Sequence, residues 1–355
     1  MLMKSGLLVL YVVACLSMVA APSVAAGTLQ IYFIDVEGGQ STLLVTPKGE
    51  SLLIDTGWAG NGAPGAKAGK PAESRDANRI LAAARDAGIR QIDYALITHF
   101  HGDHDGGVVE LSQLLPIRHF IDHGGFASAA QVDADSEAAY QAYRVVRDRV
   151  DHIEPKPGDR LPLGEIDAVI VSTAASTIEK PFPGAGELNT ACSHEALPPG
   201  DSVENPRSTG LVVAFGQFRF LDVGDLTGEP LFKLACPNNL IGAVDAYLVA
   251  HHGGADASDP ATFAAFKPRI AIMNNGLKKG GSRAVYEVLH HVNGLEDVWQ
   301  VHRSEGAGDQ NFAVDRIANL DESTAHWIKL IAGKDGSFRV LNGRTGLGKN
   351  YSARP

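Results

Sequence analysis

The chain has 355 residues, of which 45% are hydrophobic and 20% are charged, and its formal net charge is −10. These proportions are ordinary for globular proteins and exclude a disordered or fibrous chain. The negative charge disfavours a broad electrostatic contact with nucleic acid, and three cysteines in this length exclude a disulfide scaffold.

The first 26 residues have the composition of a secretory signal peptide. Met1–Lys4 contains one lysine, the apolar run Gly6–Ala20 follows, and Val24-Ala25-Ala26 offers small residues for a signal peptidase. The apolar run is shorter than the ~20 residues that a membrane span needs, which disfavours an uncleaved anchor. We therefore expect an exported protein, periplasmic or extracellular, whose mature part begins near Gly27 and forms a single domain over residues 27–355.

Cleavage at that point removes Lys4 and Cys15. Removing one lysine from a charge of −10 leaves −11, and two cysteines remain, Cys192 and Cys236. In an oxidising compartment these two can pair, and two separate thiols are the alternative. A lipoprotein cleaved before Cys15 is disfavoured, because the apolar residues 16–21 would then stay on the mature chain. No other run is long and apolar enough to span a bilayer.

The first half of the mature chain alternates strand-like and helix-like patterns. Apolar alternation predicts strands, helical spacing that stops at Gly88 or Pro116 predicts helices, and a Gly- and Ala-rich loop covers residues 58–72. The predicted strands are Leu29–Val36, Ser41–Thr46, Ser51–Asp55, Asp93–Thr98 and His119–Asp122, and the predicted helices are Asp76–Ala87, Val108–Leu115 and Asp135–Val150.

The second half repeats this strand-then-helix order after the Pro-rich segment Pro155–Pro162. It also contains a long loop near residues 172–210, rich in Gly, Pro and Ser, and loops of this length are often functional. The predicted strands are Ile166–Val171, Leu211–Phe215, Phe218–Asp222, Asp245–Ala250, Ile270–Asn274, Val298–Val301, Trp327–Ile331 and Ser337–Leu341, and the predicted helices are Pro230–Ala235 and Arg283–His291. Two similar α/β halves, packed sheet against sheet with helices outside, follow from this pattern.

The most informative stretch is Thr98–Gly107, which reads THFHGDHDGG. It places three histidines and an aspartate within six residues, directly after an apolar strand. Divalent metals of intermediate softness favour imidazole and carboxylate ligands. Because strand side chains alternate, His99 and His101 can point the same way, while Asp103 and His104 face a neighbouring position. The glycines permit the tight backbone that this crowding requires.

This stretch resembles the H-x-H-x-D-H signature of the metallo-β-lactamase superfamily. Three further segments are similar to superfamily motifs in the same order: Leu53–Gly57 to the strand that ends in Asp-x-Gly, Leu221–Asp225 to the strand that ends in Gly-Asp, and Tyr247–Gly254 to the last histidine motif. The resemblance spans residues 29–273. It implies an α/β fold, a four-layer αββα sandwich.

Within the superfamily, the chain resembles the metallo-β-lactamase-like domain of DNA-uptake competence channel proteins. Phe33–Ser41 is similar to the opening of that domain, and Asn205–Ser208 and the paired histidines followed by glycine also agree. Competence proteins carry membrane spans, so this chain looks like a secreted, stand-alone relative.

The resemblance implies a centre of two metal ions. His99 and His101 would bind the first ion, while Asp103, His104 and His251 would bind the second, with His252 as the alternative to His251. Asp225 would bridge the two ions, and Asp55 would brace the histidine loop from behind. Zn²⁺ is the expected ion and Mn²⁺ the alternative.

One position departs from the superfamily pattern. Many of its hydrolases have a third first-site histidine some 20–25 residues before the bridging aspartate, where this chain has Asn205, as in the competence subgroup. His194, His123 and His152 are candidates to replace that histidine, although each is ordinary as a surface or packed residue. Water is the other way to complete the first site.

Such a centre implies a hydrolase whose nucleophile is a metal-bound hydroxide, with Asp103 orienting it and accepting its proton. Arg207 and the lysines Lys278 and Lys279, near the start of a predicted helix, can receive an anionic group such as a phosphoester. A solvated basic loop in which Ser282 caps the helix is the alternative for the lysines. The negative net charge favours a small phosphodiester over extended nucleic acid. Hydrolysis of a β-lactam or lactone is an alternative, disfavoured by Asn205. A non-catalytic binding module that a metal ion stabilises is the third functional hypothesis.

Overall fold

A computed structural model describes residues 27–126, 131, 133–192 and 195–354. The expected signal peptide, residues 1–26, and the candidate His194 lie outside these described residues. The described part contains seventeen strands and seven α-helices. The strands are β1 (Leu29–Phe33), β2 (Thr42–Val45), β3 (Ser51–Ile54), β4 (Ile92–Leu96), β5 (Ile117–Ile121), β6 (Asp151–Ile153), β7 (Asp167–Thr173), β8 (Ser176–Thr177), β9 (Gly210–Phe215), β10 (Phe218–Asp222), β11 (Ala246–Leu248), β12 (Ile270–Met273), β13 (Asp297–His302), β14 (Ile317–Asn319), β15 (Ile328–Ala332), β16 (Phe338–Asn342) and β17 (Gly348–Tyr351).

The helices follow the capping and packing signals of the sequence. Asp133 and Ser282 accept hydrogen bonds from backbone N–H groups at the starts of the fourth and seventh helices. Gly88, with a φ of +76°, follows the end of the first helix. The helices are α1 (Arg75–Asp86), α2 (Gly102–Asp105), α3 (Val108–Leu114), α4 (Ala134–Arg147), α5 (Gly228–Ala235), α6 (Pro260–Phe266) and α7 (Arg283–Leu289).

The strands form two sheets. The first has nine strands in the order β17-β16-β15-β1-β2-β3-β4-β5-β6, and the second has eight in the order β14-β13-β12-β11-β10-β9-β7-β8. In each sheet an antiparallel part continues into a parallel part: β3 to β6 are parallel in the first, and β10 to β14 are parallel in the second.

Three apolar clusters define four layers. The first joins inward-facing residues of both sheets, such as Ile31 and Phe33 with Phe220 and Trp299, so the sheets pack face to face. The second covers the outer face of the second sheet with α5, α6 and α7. The third covers the outer face of the first sheet with α1, α3 and α4. The molecule is therefore the αββα sandwich that the sequence predicts, because each sheet buries one face against its partner and the other against helices.

Several elements differ from the sequence prediction. The C-terminal tail supplies three strands, and they extend the first sheet beside β1, so the two halves are not separate along the chain. Helix α6 was not predicted, although Asp259 accepts a hydrogen bond from Ala261 N and Pro260 occupies the first turn. The short strands β6, β8 and β14 have too little alternation to be recognised without their neighbours.

Two further features bear on the predictions. Cys192 and Cys236 form a disulfide, with Cα atoms 5.8 Å apart, which selects one of the two alternatives left open by the sequence. Among the described residues we find no helix with the length and apolar character needed to cross a bilayer.

Candidate metal centre

The motif residues follow the carboxyl ends of parallel strands in both sheets. Asp55 follows β3, His99 follows β4, Asp225 follows β10, His251 and His252 follow β11, and Lys279 lies in the loop after β12. Carboxyl ends of parallel strands meet at one edge of a sheet. With the two sheets face to face, loops far apart in sequence therefore converge at this edge.

Four buried side chains form the tightest cluster. One ligand atom each from Asp103, His104, Asp225 and His252 lies within 4.8 Å of the other three. The His104 and His252 Nε2 atoms are each 3.2 Å from Asp225 Oδ2, and they are 3.4 and 3.3 Å from Asp103 Oδ2. Two imidazoles and two carboxylates are the ligand types that Zn²⁺ and related divalent ions prefer.

The polar atoms of this cluster fit a bound cation better than hydrogen bonds. The His104 Nε2, His252 Nε2 and Asp225 Oδ1 atoms are buried, and none has a hydrogen-bond partner. Buried polar groups are ordinarily paired, so orphaned atoms at one point need an explanation. A divalent ion bound among the Asp103 and Asp225 carboxylates would give both histidine nitrogens a partner.

Burial and charge set the protonation of the cluster in opposite directions. Burial by itself would raise the pKa of Asp103 and of Asp225, but Lys279 beside Asp103 and the histidines beside Asp225 hold both pKa values well below the usual range. Burial would lower the pKa of His104, yet Asp225, Asp103 and Asp55 raise it well above its ordinary value. The carboxylates are thus ionised and available as ligands.

The position of the last histidine corrects the sequence analysis. His251 was preferred for the second ion, but the structure places His252 beside Asp103 and His104. Both residues have a left-handed backbone, with φ of 49° and 51°, so the chain turns sharply after β11 and swings the second imidazole inward. Strand alternation does not extend into such a turn, which is why spacing could not choose between the two.

Asp55 lies behind the histidine loop. Its Oδ2 is 2.7 Å from His104 Nδ1, and its two oxygens also accept hydrogen bonds from the Thr98 backbone N–H and hydroxyl, each at 2.8 Å. The carboxylate thereby orients His104 with Nε2 toward the cluster, an arrangement common around metal-ligating histidines.

His99 and His101 lie next to the cluster. His99 Nε2 is 3.9 Å from Asp225 Oδ2 and 2.8 Å from His101 Nδ1, while His101 Nε2 is 3.4 Å from Asp201 Oδ2. Burial is the main reason that the pKa of His99 lies well below its ordinary value, so this imidazole is neutral. His99 therefore lies beside both Asp225 and His101.

Asn205 faces His251, which is the residue that the cluster leaves out. The Asn205 Nδ2 atom is 3.3 Å from His251 Nε2, and the His251 Nε2 is 3.8 Å from Asp225 Oδ2. On its other side, His251 Nδ1 is 2.7 Å from Asp256 Oδ1. Asn205 Oδ1 is buried and without a hydrogen-bond partner.

The candidate substrate residues separate into two groups. Lys279 forms an ion pair with Asp103, and its Nζ lies 5.0 Å from the ring centre of Trp58. Arg207 instead donates to the Gly125 carbonyl at 2.8 Å and lies beside His123, and Lys278 is exposed. Only Lys279 of these three lines the cleft beside the cluster.

The other candidate histidines have partners away from the cluster. His123 Nε2 is 3.0 Å from Glu204 Oε2, and His152 Nε2 is 2.8 Å from Asp122 Oδ1. Neither imidazole therefore takes the place of the missing first-site histidine.

A cleft of about 540 Å³ opens onto the cluster. Asp103, Asp225, His101 and His251 form part of its lining, together with Trp58. Its lining also includes the acidic residues Asp133, Asp135 and Asp201. A substrate anion can therefore meet Lys279 at the cluster, while an extended polyanion would meet repeated negative charge.

Sequence reasoning missed two carboxylates in this region. Asp201 lies in the long Pro-rich loop, and Asp256 follows a double left-handed turn. Neither has a motif of its own, and each meets its histidine only after the loops pack. Proximity of an aspartate to a histidine motif was the only available signal, and it applies to Asp256 alone.

Part of this chain matches a known protein family. Residues 35–189 match the family model of the metallo-beta-lactamase superfamily. No curated protein matches the chain significantly. Among solved structures, CmlA, a diiron beta-hydroxylase from Streptomyces venezuelae, is 15% identical with a TM-score of 0.47, over 78% of this chain and 53% of that one. The chain thus spans about half the length of CmlA.

Two further structures are similar to this chain at low identity. The metallo-beta-lactamase fold protein YhfI from Bacillus subtilis is 12% identical with a TM-score of 0.44, over 77% of this chain and 96% of that one. A metallo-beta-lactamase HARLDQ-motif mutant from Cronobacter sakazakii is 20% identical with a TM-score of 0.32, over 55% and 60%. From the four-layer architecture and the family match, we conclude that this chain has the metallo-β-lactamase superfamily fold, with a cluster of histidines and aspartates suited to a metal ion.

Proposed function

We propose that the protein is an exported, metal-dependent hydrolase that cleaves a small phosphodiester. The convergence of Asp103, His104, Asp225 and His252 at the floor of an open cleft carries this proposal. A signal-like N-terminus and the Cys192–Cys236 disulfide support export, since disulfides persist in oxidising compartments. The motifs shared with the competence domain support a stand-alone relative of it.

The residues of the cluster have distinct parts in such a reaction. Divalent ions held there, Zn²⁺ or alternatively Mn²⁺, would supply Lewis-acid activation of a water molecule and of the scissile group. Asp103, ionised and facing the cleft, accepts a hydrogen bond from the attacking water and orients it. Asp55 keeps His104 turned toward the cluster.

Lys279 supports an anionic substrate. Its ammonium lies between Asp103 and the Trp58 ring, and its side chain is 41% exposed, so it can reach a ligand in the cleft. A phosphodiester carries one negative charge, shared by the two non-bridging oxygens of the phosphorus under attack, and this lysine can contact those oxygens. The acidic residues Asp133 and Asp135 on the cleft wall favour a small substrate over extended nucleic acid.

The test is a substrate panel on the mature protein, with Zn²⁺ or Mn²⁺ added and with metal content measured. We expect turnover of bis(p-nitrophenyl) phosphate, and a loss of about 10³-fold or more in Asp103→Asn, from removal of the water-orienting carboxylate. The matched control is Asp335→Asn, an exposed aspartate in the turn between β15 and β16.

Other outcomes identify the alternatives. Turnover of nitrocefin or a lactone, with the phosphodiester untouched, would reassign the substrate class. Bound metal that stabilises the fold, with every ester inert, would indicate a binding module. Phosphodiesterase activity that persists in Asp103→Asn at wild-type metal content would contradict the part assigned to Asp103.

A further inference from the structure

His251 lies as close to Asp225 as His99 does, and His99 is an expected ligand of the first ion. Its Nε2 is 3.8 Å from Asp225 Oδ2, and His99 Nε2 is 3.9 Å from the same oxygen. His104 and His252 are each 3.2 Å from that oxygen. Two consecutive histidines thus reach one carboxylate, and only one of them belongs to the tight cluster.

Asp256 holds the ring of His251 with its Nε2 on the side of Asp225. Its Nδ1 lies 2.7 Å from Asp256 Oδ1, and Asp256 Oδ2 accepts a hydrogen bond from Gly200 N at 2.7 Å. A histidine that donates from Nδ1 to a carboxylate has its lone pair on Nε2. The neighbour of that Nε2 is the Asn205 amide nitrogen, a donor, at 3.3 Å.

The backbone that produces this arrangement is strained. His251 and His252 both have positive φ, 49° and 51°, and neither is a glycine. Such conformations cost free energy and persist where surrounding structure requires them, frequently at functional sites. Here they direct two adjacent imidazoles to one aspartate, which an extended strand would not do.

We propose that His251 completes the first metal site together with His99, His101 and Asp225. It thereby supplies, from the loop after β11, the imidazole that Asn205 does not provide, and Asp256 is the residue that positions it. This inference rests on the two-ion centre of the proposed function and changes its ligand set: His251 belongs to the first ion and His252 to the second.

The experiment is a metal titration of the chelator-treated protein, without substrate. Wild type is titrated with ¹¹³Cd²⁺ and followed by ¹¹³Cd NMR and by stoichiometry. We expect two resonances in wild type. In His251→Asn we expect the resonance of the first-site ion to disappear, or the Kd of that ion to rise about 100-fold. In Asp256→Asn we expect the Kd of the same ion to rise about 10–100-fold. In His252→Asn we expect the resonance of the second-site ion to be lost or weakened instead.

The control is His291→Asn, an exposed histidine whose Nδ1 contacts the Glu287 carbonyl. Circular dichroism of each metal-free variant checks its fold, and Asp256→Asn keeps the test valid if His251→Asn does not fold. Two resonances with unchanged Kd in both variants would overturn the inference and leave the hydrolase proposal intact. A wild type that binds no ion would instead overturn the proposed function.

Discussion

Asp55 and His104 are joined by a contact of 2.7 Å between Oδ2 and Nδ1, and both side chains are fully buried. Asp55 directly follows β3 and His104 lies in α2, 49 residues later, and neither lines the cleft. This pair sets the direction in which His104 Nε2 points. The metal cluster therefore depends on a carboxylate that does not itself ligate.

Replacing Asp55 by asparagine removes that carboxylate while preserving its size. We expect the affinity for the ion bound by Asp103, His104 and His252 to fall about 10–100-fold, as is usual for residues behind a ligand. Competition with a chromogenic chelator measures it. Asp122→Asn, which removes another buried carboxylate paired with a histidine, is the control, and an equal loss in both variants would argue against a specific effect.

Replacing Lys279 by glutamine removes the only cation among the three sequence candidates that lines the cleft. A hydrogen bond to a charged group is worth about 1.5–3 kcal/mol, so kcat/KM for an anionic phosphodiester should fall about 10–100-fold. Steady-state kinetics measure this loss. Lys278→Gln, the exposed neighbour, should stay within about twofold of wild type.

The effect of Lys279 should depend on substrate charge. A neutral ester such as p-nitrophenyl acetate, if it is turned over, should lose far less in the Lys279→Gln variant. An equal loss for neutral and anionic substrates would mean that the lysine acts through its ion pair with Asp103 instead of through the substrate.

Acid should destabilise the protein through Asp122. Burial alone would raise the pKa of this carboxylate, but hydrogen bonds from His152, Tyr143 and Gly124 lower it below the ordinary 3.8. A group with a lowered folded pKa stabilises the fold above its unfolded pKa, and that stabilisation is lost as pH falls through the folded value.

Asp122→Asn tests this pH dependence. It weakens the buried hydrogen bonds with Tyr143 and His152 and removes one of the two carboxylates beside Arg147, which keeps its pair with Asp148, so we expect about 2 kcal/mol lower unfolding free energy at pH 7. Urea unfolding of the metal-free protein, prepared with a chelator, between pH 7 and pH 3 measures the loss of stability and its pH dependence. The variant should lose less stability on acidification than wild type, and parallel pH profiles would contradict this assignment.

The disulfide should stabilise the loop-rich edge of the second sheet. It joins residues 44 apart in sequence, and closing such a loop restricts the unfolded chain. The double variant Cys192→Ala, Cys236→Ala should lose about 2–4 kcal/mol of unfolding free energy. Denaturant unfolding with and without reductant measures the loss. Reductant should affect wild type alone, and identical midpoints for both proteins would contradict the prediction.

The layer order, and the segments that form the cluster of histidines and aspartates, were predictable from the sequence. Local patterns carry this information, because a metal motif after an apolar strand needs only neighbours within a few residues, and sheet faces follow from alternation. Helix bounds differed from prediction by at most three residues, and the start of α7 after its capping residue Ser282 agreed with the prediction. The short edge strands and α6 were missed, since packing rather than pattern stabilises them.

The tertiary structure decided which residues meet. It selected His252 over His251 for the tight cluster through two left-handed residues, and it brought Asp201 and Asp256 to His101 and His251. It also separated Lys279 from Arg207 and Lys278. These residues lie in loops from both sheets. Which of them meet depends on backbone turns and on packing between distant segments, and the spacing of residues along the chain encodes neither.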